Sequence, residues 1–415
     1  MRNRGTWWII ILIMLMLDLY VFQVIKALAS GASDRVRLTI YSIYWIISIA
    51  AIVVMVILPF VNYETWPKSI RTYLFATIVG LFFAKLIASV FFLLDDIRRL
   101  LMWLMGRIFP NFGPKFVDEG NVISRSAFLS WLGLGIGSTL FGTLVYGFSN
   151  KYNYQVRRVK LKFDNLPAGF RGTRIVHISD IHAGSFDNKA AVEKGISTIM
   201  KQNADLILFT GDMVNDRATE MENYKDVFNK LSAPLGVFSV LGNHDYGDYV
   251  NWESREQKAQ NLANLAKLQQ EMGWRLLMNE HVALEKNGDQ IALLGIENWS
   301  MKGRFPKYGK MDKAYAGAEQ YPFKILMSHD PSHWDGQVRP EYPQIDLMLS
   351  GHTHGMQFGL NNPYFKWSPV QWMYKQWAGL YEEGRQKLYV NPGFGFIGYP
   401  GRVGILPEIT VLELV

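Results

Sequence analysis

Cysteine is absent from all 415 residues of the chain. That absence excludes disulfides, thiolate metal sites and cysteine nucleophiles, and it leaves the compartment open. No repeat or low-complexity segment interrupts residues 151–415. What is abundant is apolar: 49% of the chain is hydrophobic and 14% aromatic, crowded into the first 150 positions. The length exceeds one ordinary domain and suggests two units. The net charge of +7 comes from basic residues that flank apolar segments. It reads as juxtamembrane charge on anionic lipid rather than as a nucleic-acid surface.

Residues 7–28, 38–61, 73–94 and 128–148 each run about 20 residues with few charges, enough to cross a hydrocarbon core about 30 Å thick. The spacing predicts a four-helix membrane anchor over 1–150, and four such segments exclude a cleaved signal peptide. The fourth carries Gly133, Gly135, Gly137 and Gly142, a pattern suited to close helix packing in lipid. Asp18 and Lys85 fall inside the first and third spans, where a charge is costly and normally paired. Either they form a structural pair, with snorkelling of Lys85 as a variant, or they mark an intramembrane switch or pathway. Leu100 to Met105, after Arg98 and Arg99, predicts a separate helix lying along the interface. Loop charges divide eight against nine between the two sides, so the positive-inside rule gives no orientation. Ser124 to Leu129 resembles a twin-arginine export motif with Ser126 in place of the second arginine. That detail favours a multi-pass cell-membrane protein whose C-terminal unit is extracytoplasmic.

From residue 151 the pattern changes. Val159, Leu161 and Phe163 alternate with Arg158, Lys160 and Lys162, predicting a strand with one wet face. Buried strands are expected at 173–179, 205–210, 236–241, 323–327 and 345–349, with closing strands at 388–390 and 409–414. Helices are expected at about 190–202, after Asp212, and at 254–272, and a hairpin turning at Asn287-Gly288. Early strands alternating with helices and later ones in hairpins predict an α/β layered sandwich over 151–415. Five of these strands end at their C-terminal edge in Asp, His or Asn, where an α/β sheet places its site.

Collected, those residues are Asp180, His182, Asp212, Asn243, His329, His352 and His354. Carboxylates, an amide oxygen and imidazoles suit two divalent ions of the Mn, Fe or Zn kind. Asp212 is placed to bridge ions about 3.5–4 Å apart, as two-metal hydrolysis requires. His244, beside Asn243, is placed to protonate a leaving alkoxide as general acid.

Asp-x-His, Gly-Asp, Gly-Asn-His-Asp, a lone His and Gly-His-x-His, in that order over residues 158–415, resemble the calcineurin-like metallophosphoesterase superfamily. The resemblance implies an αββα sandwich. It implies one metal held by Asp180, His182, Asp212 and His354, and a second held by Asp212, Asn243, His329 and His352. The membrane-tethered layout further resembles the transmembrane branch related to UDP-diacylglucosamine pyrophosphohydrolases. Three positions depart from the pattern. Asn215 stands where phosphoprotein phosphatases have an Asp that supports the acid histidine, which puts protein phosphatase activity in doubt. Met356 stands for a second glycine, and Pro392 for an arginine that contacts phosphate.

Among the other histidines, His177 reads as a core residue and His281 as a surface or hairpin residue. His333 reads either as a substrate contact or as packing near Pro331. Tyr364, Phe365, Trp367, Trp372, Met373, Tyr374, Trp377 and Tyr381 crowd one Pro-broken segment, as a rim over the sandwich or as an interfacial belt or acyl-chain groove. The expected protein is a membrane-anchored dinuclear phosphoesterase acting on a phosphate ester, diester or pyrophosphate, the tether pointing to a lipid-linked one, for example a glycolipid precursor of the UDP-diacylglucosamine type. The alternative is a catalytically weak membrane sensor or scaffold built on the same fold. Expected partners are the bilayer and the phosphorylated substrate, without nucleic acid.

Overall fold

The computed structural model describes residues 4–108, 125–303, 305–362 and 364–415. Arg2 and Lys115 of the loop charges, and Ser124 of the export-like motif, lie outside the described residues. The chain forms two compact units, Met1–Tyr146 and Gly147–Val415.

Four helices of the first unit are long and apolar enough to cross a membrane: α1 (Arg4–Leu28), α2 (Asp34–Ile57), α3 (Lys68–Ile108) and α4 (Arg125–Gly147). The separate interfacial helix expected at Leu100–Met105 does not exist, because α3 runs unbroken for 41 residues, about 62 Å at 1.5 Å per residue. No glycine or proline interrupts it between Leu81 and Met105. Its charges pair along the helix, Arg98 with Asp95 and Arg99 with Asp96, so they continue the helix rather than ending it. Of Gly133, Gly135, Gly137 and Gly142 in α4, two do permit close packing. A Cβ at Gly133 would lie 2.9 Å from the Ala88 carbonyl oxygen, and one at Gly137 2.7 Å from that of Ala84. Asp18 and Lys85 form the structural pair. Lys85 Nζ donates to Asp18 Oδ1 and to Ser48 Oγ (2.8 Å), and Asp18 Oδ1 also accepts from Ser48 Oγ (3.1 Å) and Tyr44 OH (3.3 Å).

The second unit stacks two six-stranded sheets and adds a two-stranded ribbon of β10 (Leu360–Asn361) and β11 (Lys366–Trp367). The first has the order β1 (Gln155–Leu161), β14 (Glu408–Leu414), β2 (Arg174–Ile178), β3 (Leu206–Phe209), β4 (Val237–Ser239), β5 (Arg275–Leu276). The second runs β12 (Gly379–Glu383), β13 (Gln386–Val390), β9 (Leu347–Ser350), β8 (Lys324–Met327), β7 (Asp289–Gly295), β6 (Glu280–Lys286). Alternation along the strands makes the layers. Ile175, Leu206, Leu208 and Leu412 of the first sheet meet Leu293, Ile325, Leu347 and Leu349 of the second in the central core. Their neighbours Val176, Ile178, Ile207 and Phe209 face outward onto Val192 and Ile196 of α5 (Lys189–Met200) and Leu265 of the helix Arg255–Glu271. Ser254 caps that last helix by accepting the Gln257 N–H at 3.1 Å. The outer face of the second sheet, with Ala292, Leu294, Leu326 and Met348, packs under short segments that contribute Met311, Trp334 and Val338. This is the αββα sandwich, with a thin fourth layer. The β6–β7 hairpin turns at Asn287 (φ 54°) and Gly288 (φ 84°), both left-handed as a two-residue turn requires. The helix expected after Asp212 is a 3-10 segment, Ala218–Tyr224, followed by one α-turn.

Candidate metal centre

Strands β2, β3, β8 and β9 deliver Asp180 and His182, Asp212, His329, and His352 and His354 just beyond their C-terminal ends, and Asn243 and His244 follow β4. Backbone conformation aims them. Asp180, His182, Asp212, His352 and His354 all adopt left-handed φ between 49° and 71°. Such strain concentrates at functional sites and persists only where the surroundings enforce it. Enforcement here is by hydrogen bonds between loops. Asp180 N–H donates to the Gly211 carbonyl (2.9 Å), His182 N–H to that of Asp212 (3.1 Å), and His352 N–H to the Asp180 carboxylate (3.0 Å). The Asp245 carboxylate accepts the N–H groups of Asp212 (2.9 Å), Met213 (2.8 Å) and Gly242 (2.8 Å), tying the β3 loop to the β4 loop. Gly351 has no room for a side chain, since a Cβ would collide with Ser179 Oγ and Asp180 Oδ2.

The structure brings all seven proposed ligands together in two groups that share Asp212. In one, His354 Nε2 is 3.0 Å from His182 Nε2 and 3.2 Å from Asp180 Oδ1, and His182 Nε2 is 3.6 Å from Asp212 Oδ2. In the other, His329 Nε2 is 3.1 Å from Asp212 Oδ2, and His352 Nδ1 lies 3.2 Å from His329 Nε2 and 2.8 Å from Asn243 Oδ1. Asp180, His182 and His354, and separately Asp212, His329 and His352, could each hold a metal ion. Several of the imidazoles are oriented from behind. His329 Nδ1 donates to the Thr210 carbonyl (2.7 Å), and His352 Nε2 meets Tyr374 OH (2.8 Å).

Charge fits the same use. Burial alone would raise Asp180 and Asp212, but the imidazoles around them, His354 foremost for Asp180 and His329 for Asp212, hold both below the usual carboxylate range. Burial works against a proton on His329, yet Asp212 and Asp180 outweigh it and raise it to about 10. Burial pushes His182 and His352 down. Two buried carboxylates thus call for a cation, and neutral imidazoles beside them offer lone pairs, a donor set that fits first-row divalent ions.

His244 sits at the edge of this cluster. Its N–H donates to Asp212 Oδ1 (2.8 Å), its ring packs against His182 and Tyr249, and its Nδ1 lies 2.7 Å from the Asn215 carbonyl oxygen. The cleft above, about 440 Å³, is lined by His182, Asp212, Asn243, His244, His352 and His354 on its polar side. Phe305, Met356, Val370, Met373 and Ile397 form an apolar wall. Among the described residues, no lysine or arginine lines it.

The departures resolve individually. Met356 takes left-handed backbone (φ 54°) where glycine would be unstrained, and it lines the cleft half-exposed. The Pro392 carbonyl accepts from Arg402 Nη1 (2.8 Å), whose buried guanidinium stands behind His354 rather than in the cleft. The Asn215 side chain turns to Ser185 Oγ. His177 is buried against Thr210 Oγ1 (2.9 Å), where burial lowers it to about 3, and His281 faces the Ala314 carbonyl. His333 is packing: it is buried between Ser328 and Gln337, lies tilted against the Trp299 ring and is not brought to the cleft. Sequence reasoning missed the roles of Asp245, Tyr374 and Arg402. Asp245 had a local signal, lying inside Gly-Asn-His-Asp.

Two family models match the chain: "Probable Calcineurin-like phosphoesterase, transmembrane domain" over residues 1–151 and "Calcineurin-like phosphoesterase" over 173–356. A "Transmembrane protein with metallophosphoesterase domain" from Danio rerio is 30% identical over 65% of this chain and 60% of its own length. "Uncharacterized metallophosphoesterase YkuE" from Bacillus subtilis is 30% identical, covering 61% of this chain and 83% of that protein. "Phosphodiesterase YaeI" from Escherichia coli is 27% identical over 71% of this chain and 100% of its own. The chain therefore spans less than two thirds of the fish relative and most or all of the two bacterial ones.

Proposed function

Because the chain belongs to the calcineurin-like phosphoesterase family, we propose that it is a membrane-anchored, dinuclear metal-dependent hydrolase of a lipid-linked phosphate ester, diester or pyrophosphate. Asp180, His182, Asp212 and His354 would hold one ion, and Asp212, Asn243, His329 and His352 the other, both of the Mn, Fe or Zn kind. When bound, the ions supply an acidified water and polarise the phosphoryl oxygens. His244 serves the leaving group. A carbonyl can only accept, so Nδ1 carries a hydrogen and Nε2 is left for the substrate. Acting as the imidazolium, with a hydrogen on both nitrogens, His244 would pass its Nε2 proton to the departing oxygen as the water oxygen bonds to phosphorus and the phosphorus–oxygen bond to the leaving group breaks.

The observation that carries the substrate class is the cleft wall. Phe305, Met356, Val370, Met373 and Ile397 offer contact to an apolar group beside the phosphorus. With no lysine or arginine among the described lining residues, the singly charged diester fits the cleft best of the three classes. The export-like stretch at Ser124–Leu129 supports an extracytoplasmic catalytic unit. C-terminal reporters active on only one side of the membrane read that placement.

The test is hydrolysis by the full chain in lipid nanodiscs. Expected is turnover of an aryl phosphodiester that requires added Mn²⁺, stops on chelation and is absent in Asp212→Asn, with an acylated phosphodiester preferred over its deacylated form. Absence of metal-dependent turnover on every phosphoester class would favour the sensor or scaffold reading. Equal rates on acylated and deacylated forms would remove the lipid-linked assignment alone.

A further inference from the structure

We propose that Glu220 is a positioning residue for His244, acting through a single backbone peptide unit; the proposal rests on the reading of His244 as general acid. The Asn215 side chain faces Ser185, so it gives the imidazole no support. Support comes from the backbone instead. The His244 Nδ1–H donates to the Asn215 carbonyl at 2.7 Å. The N–H of that same peptide unit, on Asp216, donates to Glu220 Oε1 at 3.2 Å. Carboxylate, peptide and imidazole thus form one line of hydrogen bonds. It is a carboxylate–histidine dyad with an amide inserted.

The surrounding contacts fix that amide. Glu220 also accepts the N–H groups of Asn215 (Oε2, 2.6 Å) and Arg217 (Oε1, 3.1 Å), so three successive amides turn onto one carboxylate. On the far side the Asp216 carbonyl accepts from Asn261 Nδ2 (3.1 Å), and Asn261 Oδ1 takes the Ala218 N–H (2.9 Å). Residue 184 must be glycine for Glu220 to sit there, because a Cβ would collide with Oε2. Hydrogen bonds in series polarise one another, and bonds to a carboxylate are the stronger kind. The negative charge of Glu220 therefore strengthens the Asn215 carbonyl as an acceptor. That holds the ring so that Nε2 meets the leaving oxygen.

The experiment compares Glu220→Gln and Glu220→Ala with wild type, all as full chains in nanodiscs with Mn²⁺. One substrate is an aryl phosphodiester, whose leaving group departs unaided; the other is an alkyl phosphodiester, whose leaving alkoxide needs a proton. Glu220→Ala is expected to lower kcat on the alkyl ester about 10²-fold, the usual worth of a general acid. The aryl ester should change less than about threefold, with KM and Mn²⁺ affinity unchanged, and Glu220→Gln should recover part of the loss. A second readout needs no turnover and is taken with diamagnetic Zn²⁺ in place of Mn²⁺, which would broaden the signals of a residue this near the ions. The imidazole Nδ1–H proton resonance of His244, assigned by its loss in His244→Asn, should exchange slowly in wild type and broaden or shift in Glu220→Ala. Equal losses on both esters, or an unaltered His244 resonance, would overturn the proposal. A wild type inert toward both esters would instead refute the phosphoesterase reading, and the resonance would still decide whether Glu220 holds His244.

Discussion

Removing Asp18 alone should damage the first unit more than removing Asp18 and Lys85 together. Lys85 Nζ has two oxygen partners, Asp18 Oδ1 and Ser48 Oγ, amid Met14, Leu17, Ile78, Leu81 and Phe82. Asp18→Leu leaves the ammonium with one hydroxyl, and Lys85→Leu leaves the carboxylate with the Ser48 and Tyr44 hydroxyls. Breaking a buried pair from one side costs about 3–5 kcal/mol, whereas replacing both partners with apolar groups is often neutral. At about 2–4 °C per kcal/mol for a unit of this size, either single variant should lower Tm by about 6–20 °C. The double variant should fall within about 4 °C of wild type. Thermal unfolding of the full chain in nanodiscs, followed by far-UV circular dichroism, measures this directly. Additive losses in the double variant would refute the pairing. A harmless Asp18→Leu would mean that Lys85 reaches the interface instead, and loss of activity at unchanged Tm would revive the intramembrane pathway.

Three further outcomes are expected. Tyr374→Phe removes the hydroxyl 2.8 Å from His352 Nε2 and should weaken Mn²⁺ binding about 10-fold, read by calorimetric titration; unchanged affinity would exclude the orienting role. Gly351→Ala forces a methyl into Ser179 and Asp180 and should abolish Mn²⁺ binding, while circular dichroism still reports the α-helical signal of the anchor. Asp216 has its pKa raised to about 6, chiefly by burial, so the folded state holds its proton more tightly than the unfolded one. That contribution is present below about pH 4 and lost as pH rises through 6. Asp216→Asn should therefore raise the Tm of the second unit by about 2–4 °C at pH 8 and leave it unchanged at pH 4.

The site was legible because each ligand sits within a few residues of a strand end. Asp180 and His182 follow β2, and His352 and His354 follow β9, so local hydrophobic runs pointed at them directly. Order along the chain supplied the rest. Residues acting across long separations carried no such mark. Tyr374 reaches His352 from an aromatic run without periodicity, and Arg402 reaches His354 across 48 residues. Glu220 acts on the backbone, which no side-chain pattern records. The break expected at Arg98-Arg99 failed for the opposite reason. The charges looked like a boundary, but each found its partner one helical turn away.

The order of the first sheet has a consequence for synthesis. Strand β14 lies between β1 and β2, parallel to one and antiparallel to the other, so Gln155 pairs with Glu408 and Ile175 with Leu412. The ribosome makes β1 and β2 early, yet they cannot join until some 230 further residues have emerged. Until then both strands show open edges, the state most prone to mispairing. The anchor helices α1 to α4 precede all of this in the chain, so the unfinished sheet waits on a chain whose membrane segments have already been made. A polypeptide that stops short of Glu408 keeps those helices and never closes the sheet that carries Asp180 and Asp212.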